Sequence, residues 1–191
     1  MMRTGVYTGS FDPFHKGHIK IVSTILKKDI VDRVFIIPSD DYWDKKMNMS
    51  HKDRCRLVEM SFRNRKCADR VTVNEKLGSL TYTYQLFRRL KKEYPDDEFY
   101  LIAGGDNMPR FREWRNYKEL LKNGFIIVNR NTEDLETIMK DLAPRSYVIL
   151  EIEGISDISS TYIRENLNDY SKISGMINRR EYGFVLSHMN K

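Results

Sequence analysis

The feature that most limits the folds open to this chain is an alternation. Short apolar runs, each ended by Gly, Pro or polar residues, take turns with stretches of helical period. The runs lie at 4–8, 34–37, 71–73, 99–103, 125–128 and 147–150. They are rich in Val, Ile, Phe and Tyr and too short for helices, which predicts buried strands. Between them Ile19, Val22, Ile25 and Leu26 recur one helical turn apart, as do Leu57, Val58 and Met60, then Leu86, Phe87 and Leu90 in a helix that Thr81-Tyr82-Thr83 starts, and finally Leu135, Ile138, Met139 and Leu142. Leu120 and Leu121 mark a further helix. Strands joined through helices form right-handed βαβ units. The expected fold is therefore α/β, a single-domain, doubly wound, mostly parallel sheet with helices on both faces, spanning residues 1–191. No repeat, low-complexity tract or linker marks a second domain, and 191 residues suffice for one well-filled core.

Sheets of this kind bind ligands beyond the carboxyl ends of their strands, which should gather loops 9–18, 38–49, 104–116 and 151–160. The first loop reads Gly9-Ser10-Phe11-Asp12-Pro13-Phe14-His15-Lys16-Gly17-His18. Asp12-Pro13 ends the strand, and a helix is predicted from Lys16 or Gly17, with His15 and His18 bracketing its N-terminus. Free backbone N–H groups there favour an anion, and phosphate is the first suspect. One histidine could equally be an exposed side chain and the other a hydrogen-bonded structural residue. The last loop leads into Ile158-Ser159-Ser160-Thr161-Tyr162-Ile163-Arg164. Ser159 and Ser160 are N-cap candidates for a helix carrying Ile163 and Leu167, and Arg164 lies one turn from Ser160 on the same face. Hydroxyls, orphan N–H groups and a guanidinium would converge there, which suits the β- and γ-phosphates of a triphosphate. The structural alternative is a capped surface helix with a solvated Arg. Ser50-His51-Lys52-Asp53 is a capping-box pattern that opens the helix with Leu57.

Composition narrows the function classes. The chain is 40% hydrophobic and 31% charged, and no apolar run approaches the ~20 residues that cross a bilayer. The N-terminus passes straight into the first strand with no signal-peptide pattern, so a cytoplasmic location and no membrane partner are expected. Cys55 and Cys67 are too few and too far apart for a zinc site and read as packing residues. The net charge of +6 and a pI near 9.2 favour anionic partners. The cations are nonetheless mixed with acids, as in Arg88-Arg89-Leu90-Lys91-Lys92-Glu93, which fits a solvated helix face better than a nucleic-acid patch.

The string G-S-F-D-P-x-H-x-G-H resembles the H-x-G-H signature of the nucleotidyltransferase superfamily, and I-S-S-T-x-x-R resembles a motif of its adenylyltransferases. Between them, Thr81-Tyr82-Thr83 is similar to the S-Y-T segment of bacterial nicotinate-nucleotide adenylyltransferases, and Gly105-Asp106-Asn107 to their G-A-D-N/S segment. Trp114 and Arg130 resemble the Trp and post-strand Arg that complete the set. The resemblance covers nearly all of the chain. It implies adenylyl transfer from ATP to nicotinate mononucleotide, with Mg²⁺ bound mainly through the ATP phosphates and no protein metal ligand. Catalytic roles would fall to His18, His15 and Arg164. ATP would be held by Gly9, Ser10, Phe11, His15, His18, Lys46, Gly104, Asp106, Ile158, Ser159, Ser160, Thr161 and Arg164. The mononucleotide would meet Ser10, Phe11, Thr81, Tyr82, Thr83, Asp106, Trp114 and Arg130.

Several of these residues keep structural alternatives: Trp114 could cover the sheet, Asp106 could cap a helix, Tyr82 could pack, and Arg130 could be solvated. The chain also departs from the family pattern. Thr8 precedes Gly9-Ser10 where Gly-Gly is usual, and the loop after the second strand lacks Pro-Pro-His-Lys, leaving Lys45 and Lys46 as candidates to face ATP. Gln85 and Leu86 replace Asp/Glu-Thr. Phosphopantetheine adenylyltransferases carry Thr at the position of His15, cytidylyltransferases end in a different string, and the K-M-S-K-S of class I tRNA synthetases is absent. The rival substrates are nicotinamide mononucleotide and phosphopantetheine. A non-catalytic nucleotide-binding module is the rival of another class.

Overall fold

The structure, a computed structural model, describes residues 1–40, 46–130 and 134–189. Each apolar run lies within a strand: β1 (Arg3–Gly9), β2 (Arg33–Pro38), β3 (Val71–Val73), β4 (Glu98–Gly104), β5 (Gly124–Asn129) and β6 (Ser146–Glu151). They form one six-stranded sheet in the order β3-β2-β1-β4-β5-β6, with every neighbouring pair parallel. The helices are α1 (Lys16–Lys27), α2 (His51–Phe62), α3 (Thr83–Glu93), α4 (Tyr117–Leu120), α5 (Leu135–Leu142), α6 (Ser160–Glu165), α7 (Tyr170–Ile173) and α8 (Arg179–His188).

The unbroken apolar runs follow from burial on both faces. Val6, Phe35, Leu101 and Phe125 join Leu86, Phe87 and Leu90 of α3, Leu120 of α4 and Met139 of α5 on one side. The next residues along the same strands, Tyr7, Ile36, Ile102 and Ile126, join Ile21, Val22 and Ile25 of α1, Leu57 and Val58 of α2, Ile163 of α6, Ile173 of α7 and Val185 of α8 on the other. Each fully buried side chain of this size stabilises by roughly 1.5–3 kcal/mol. From β1 the chain winds outward through β2 and β3, then returns to β4 on the other side of β1 and winds away through β5 and β6. The carboxyl ends of β1 and β4 therefore flank the switch point, where a crevice must open.

The elements depart from expectation where local chemistry overrides period. The helix placed at Thr81 begins at Thr83, with Tyr82 as N-cap, because the Tyr82 N–H donates to Gln85 Oε1 at 3.1 Å. Residues 105–113 wind as a 3₁₀ helix around Pro109, which has no N–H to give. The helix with Leu120 is a single turn entered through Asn116 in the left-handed region (φ 54°), and Leu121 lies just past its end. Helix α6 stops at Glu165, so Leu167 lies beyond it and packs against the core from the following segment. No element is predicted past Leu167, yet α7 and α8 form there and complete one face through Ile173, Ile177 and Val185. Cys55 and Cys67 are free thiols, and burial, with Glu75 nearby, pushes the Cys55 pKa up to about 12. Among the described residues no helix is long and apolar enough to cross a membrane.

At the amino-terminal edge of the sheet β1, β2 and the residue just before β4 are tied together by polar groups. Thr4 Oγ1 donates to Asp97 Oδ2 at 2.6 Å, Arg33 Nε donates to Thr4 Oγ1 at 3.0 Å, and Arg33 Nη2 meets Asp97 Oδ2 at 2.7 Å. The Asp97 side chain is only 11% exposed, so the network is better shielded than a surface ion pair. Asp97→Ala strands both partners and is expected to cost about 1–3 kcal/mol in urea unfolding. A loss under about 0.5 kcal/mol would show that solvent screens the network as it does an exposed pair.

Candidate active site

The first loop is built around Asp12, which is buried. Its carboxylate accepts the Asn48 N–H at 2.7 Å, Asn48 Nδ2 at 2.8 Å and the Met49 N–H at 3.1 Å, fixing the segment that carries Lys46. Its carbonyl accepts Arg164 Nη1 at 2.6 Å, and the neighbouring Pro13 carbonyl accepts Ser160 Oγ at 2.9 Å. The two motif strings, remote in sequence, thus meet by direct hydrogen bonds. Arg164 Nη2 also reaches Thr161 Oγ1 at 3.1 Å.

Helix α1 opens with His15 as N-cap, and the His15 backbone N–H donates to His18 Nδ1 at 3.3 Å. The two imidazoles stack with centroids 3.7 Å apart and planes 16° apart. Gly17 makes room for this, since a Cβ there would lie 3.1 Å from the His15 ring. The rings of Phe11, Phe14 and Tyr7 enclose His18 at 5.0, 5.0 and 6.0 Å. Burial, followed by the charge of Arg130, lowers the His15 pKa to about 3. Burial, His15 and Arg130 hold that of His18 well below its ordinary value. Both rings are neutral near pH 7. Because His18 Nδ1 accepts a hydrogen bond, its proton resides on Nε2, leaving an N–H donor rather than an imidazolium.

At the switch point lies a cavity of about 530 Å³. It is lined from β1 and its loop by Tyr7, Thr8, Gly9, Ser10, Phe11, Asp12 and His18, and from the segment after β2 by Ser39, Lys46, Met47 and Asn48. Thr83 of α3, the β4 end with Gly104, then Asp106, Asn107 and Trp114 form a further wall, and Arg130, Ser160, Thr161 and Arg164 complete it. Among the sequence candidates, Gly9, Ser10, Phe11, His18, Lys46, Thr83, Gly104, Asp106, Trp114, Arg130, Ser160, Thr161 and Arg164 thus share one cavity. Lys45 lies outside the described residues.

The other candidates stand behind this lining or beside it. His15 is 2% exposed and sits against His18. Ser159 caps α6 by accepting the Tyr162 N–H at 3.0 Å. Thr81, Tyr82 and Ile158 are not among the residues that line the cavity. One of the N–H groups expected free at the start of α1 is taken, as Lys16 donates to the Met176 carbonyl at 2.8 Å.

A Cβ at Gly104 would fall 2.2 Å from Asp106 Oδ1, so a side chain there would push the Asp106 carboxylate from its place in the wall. The buried Arg130 Nε has no acceptor among the described residues, so one donor of a cavity-lining guanidinium remains to be matched. With Arg164 and Lys46 it gives the cavity a cationic lining suited to anions.

Two supporting residues escaped the sequence. Asp12 was legible only as a strand breaker. Arg54 is wholly buried in α2, donating to Met49 O at 3.2 Å, Ser10 O at 2.7 Å and Ser39 O at 2.6 Å, so it ties the first two loops together. The available signal was its place on the helix face of Leu57 and Val58, three and four residues on.

A buried neutral His15 ties stability to pH. The unfolded chain binds a proton near pH 6.5 that the folded site refuses until about pH 3. Stability is therefore full above the unfolded value and lost as pH falls through this window, by about 2 kcal/mol near pH 5 from His15 alone. Urea unfolding near pH 7 and near pH 5, a range above most carboxylate titration, measures this. Equal free energies would mean that protons reach His15 in the folded state.

Known proteins resemble this chain over almost its whole length. The cytidylyltransferase-like family pattern matches residues 6–166. A Fusobacterium nucleatum protein named as a probable nicotinate-nucleotide adenylyltransferase is 35% identical over 183 residues, covering 94% of each chain. One of the same name from Clostridium novyi is 30% identical, covering 93% of this chain and 92% of its own. In three dimensions the Plasmodium falciparum nicotinic acid mononucleotide adenylyltransferase, solved with NaAD, superposes with a TM-score of 0.87 at 23% identity, over 98% of this chain and 96% of that one. The chain belongs to the cytidylyltransferase-like family and, within it, to the nicotinate-nucleotide adenylyltransferases.

Proposed function

We propose that residues 1–191 act as one domain that transfers the adenylyl group of ATP to nicotinate mononucleotide. The observation that carries this reading is one cavity in which His18, Ser160, Thr161 and Arg164 face Thr83 and Trp114 across the sheet's switch point, with Arg130 on its wall. Triphosphate belongs with the first group and the pyridine with the second, where Trp114 offers a π-face. An oxygen of the mononucleotide 5′-phosphate attacks the α-phosphorus in line, the bond to the β-phosphate bridge breaks, and pyrophosphate leaves. The nucleophile is already an anion, so no general base is needed. Catalysis rests on holding two repelling anions together and stabilising the charge that develops on the α-phosphate and leaving group.

The neutral His18 Nε2–H suits that task because it donates at a fixed position without itself being desolvated as a charge. His15 then acts behind it, orienting the ring. Mg²⁺ supplied with ATP would neutralise phosphate charge. Among the described residues no group of three or more His, Cys, Asp or Glu gathers that could hold a metal ion.

The beginning of α3 favours the acid form of the pyridine. Thr83 and Tyr84 are its first residues, whose N–H groups have no intrahelical acceptor, and this positive end attracts a carboxylate. Gln85, whose amide oxygen is a candidate acceptor for a carboxamide NH₂, is outside the cavity lining and already accepts the Tyr82 N–H on its Oε1. Pyrophosphate release from ATP and Mg²⁺ should therefore be followed with nicotinate mononucleotide, nicotinamide mononucleotide and phosphopantetheine in turn. The acid is expected to lead the amide by roughly tenfold or more in kcat/KM, and phosphopantetheine to be inert. Release with phosphopantetheine alone would overturn the assignment.

His18→Ala removes the donor aimed at the developing charge. It is expected to lower kcat by ~10²–10³ with little change in KM for the mononucleotide. Retention of more than about a third of the activity, a loss of only ~0.6 kcal/mol, would remove His18 from the mechanism.

A further inference from the structure

Arg115 follows Trp114 directly, and its guanidinium lies 5.1 Å from the centroid of the Tyr82 ring, with Nη1 3.4 Å from Tyr82 Oη. Tyr82 is the N-cap of α3, and the residues next to this pair, Thr83 and Trp114, both line the cavity. The neighbouring arginines are all neutralised: Arg88 by Glu119, Arg110 by Glu113 and Arg112 by Asp141, each at 2.7 Å. Arg115 differs. Among the described residues no carboxylate pairs with it, and an aromatic face holds it in place instead. Tyr82 is in turn braced by Tyr84, with ring centroids 5.9 Å apart and planes 22° apart. Arg115 is itself exposed and outside the lining, but its neighbour Trp114 and Thr83, the neighbour of its partner Tyr82, both belong to it, so a guanidinium without a carboxylate partner lies beside the N-terminus of α3, at the end assigned to the pyridine ring.

We propose that Arg115, acting together with the N-terminus of α3, sets the choice between the acid and the amide of the pyridine mononucleotide, a role that rests on the adenylyltransferase reading above. A ring seated on Trp114 brings its 3-substituent toward Thr83, the residue adjoining the Tyr82–Arg115 pair. A carboxylate there gains the full positive charge and a planar fork of donors that matches its two oxygens. A carboxamide is neutral and gains little from the charge. Of the two carboxylates in the lining, that of Asp12 is taken up by Asn48 and Met49, whereas Asp106 would repel a bound carboxylate, which makes a compensating cation more consequential. The rim is solvated, so the preference weakens with added salt.

The test compares wild type with Arg115→Gln, Arg115→Lys and Arg115→Glu at saturating ATP, measuring kcat/KM for nicotinate and nicotinamide mononucleotides in parallel. Thermal melts report folding, which an exposed side chain with one aromatic contact should leave unchanged. Arg115→Gln is expected to lower the value for the acid about tenfold and that for the amide less than about twofold. Arg115→Lys should keep part of the preference, and Arg115→Glu should shift it further toward the amide. An acid preference that survives intact in folded Arg115→Gln overturns this proposal alone. A wild-type enzyme that adenylylates neither mononucleotide overturns the adenylyltransferase reading, and the role of Arg115 falls with it.

Discussion

The architecture of the cavity depends on one buried carboxylate. Asp12 leaves the end of β1 and takes three donors from Asn48 and Met49 on its side chain, while its carbonyl takes the Arg164 guanidinium. A buried anion is tolerable only when hydrogen bonds replace the water it has lost, and here the replacements come from a segment with little regular structure of its own. The need to satisfy Asp12 therefore shapes the wall that carries Lys46. Arg54 applies the same logic with opposite charge: its buried guanidinium draws the Ser10 and Ser39 carbonyls inward. A cationic cavity is preformed because its loops are folded around buried charges, not merely laid over the sheet.

That framework explains how two histidines can work beside Arg130 without becoming cations. Stacking at 3.7 Å and a wall of Phe11, Phe14 and Tyr7 remove water, so a proton on either ring would be unsolvated and repelled by the nearby guanidinium. The positive charge of the cavity is consequently carried by its arginine and lysine side chains. The histidine beside it contributes direction rather than charge. On the reading proposed above, fixed charges would draw anions in, and the neutral donor of His18 would discriminate among positions along a bound phosphate chain.

The sheet was legible in the sequence because its strands are buried on both faces. Nothing polar interrupts Val34-Phe35-Ile36-Ile37 or Phe125-Ile126-Ile127-Val128, and every neighbouring pair is parallel, as such runs imply. Helix interiors were legible for the matching reason of period. Their ends were less so, since an end is decided by one or two hydrogen bonds, such as that from the Tyr82 N–H to Gln85, which moves the start of α3 past Thr81. Thirteen of the sequence candidates line the cavity. What the strings could not show is which of their members reach it. Arg54 lies among basic neighbours, Asp12 beside a proline that explains it sufficiently, and Arg115 owes its interest to unpaired charge, a property of its surroundings.

The distinction between members that line the cavity and members that hold it changes how such strings are understood. Ser160 donates its hydroxyl to the Pro13 carbonyl and Arg164 one nitrogen to that of Asp12, so both belong first to the joint between α6 and the opening loop. Both line the cavity as well, and Thr161 and the remaining guanidinium hydrogens extend the same surface. A phosphate bound there would contact groups from both ends of the chain and draw them tighter. The joint also works in the other direction. Helix α6 is only six residues long and too short to be stable alone, so its position derives from Ile163 in the core and from these two hydrogen bonds. Its spacing from Ser160 to Arg164, one helical turn, is what allows consecutive carbonyls of the opening loop to be engaged at once. The same residues therefore carry a folding contact and a ligand-facing surface, and the geometry of the second is inherited from the first.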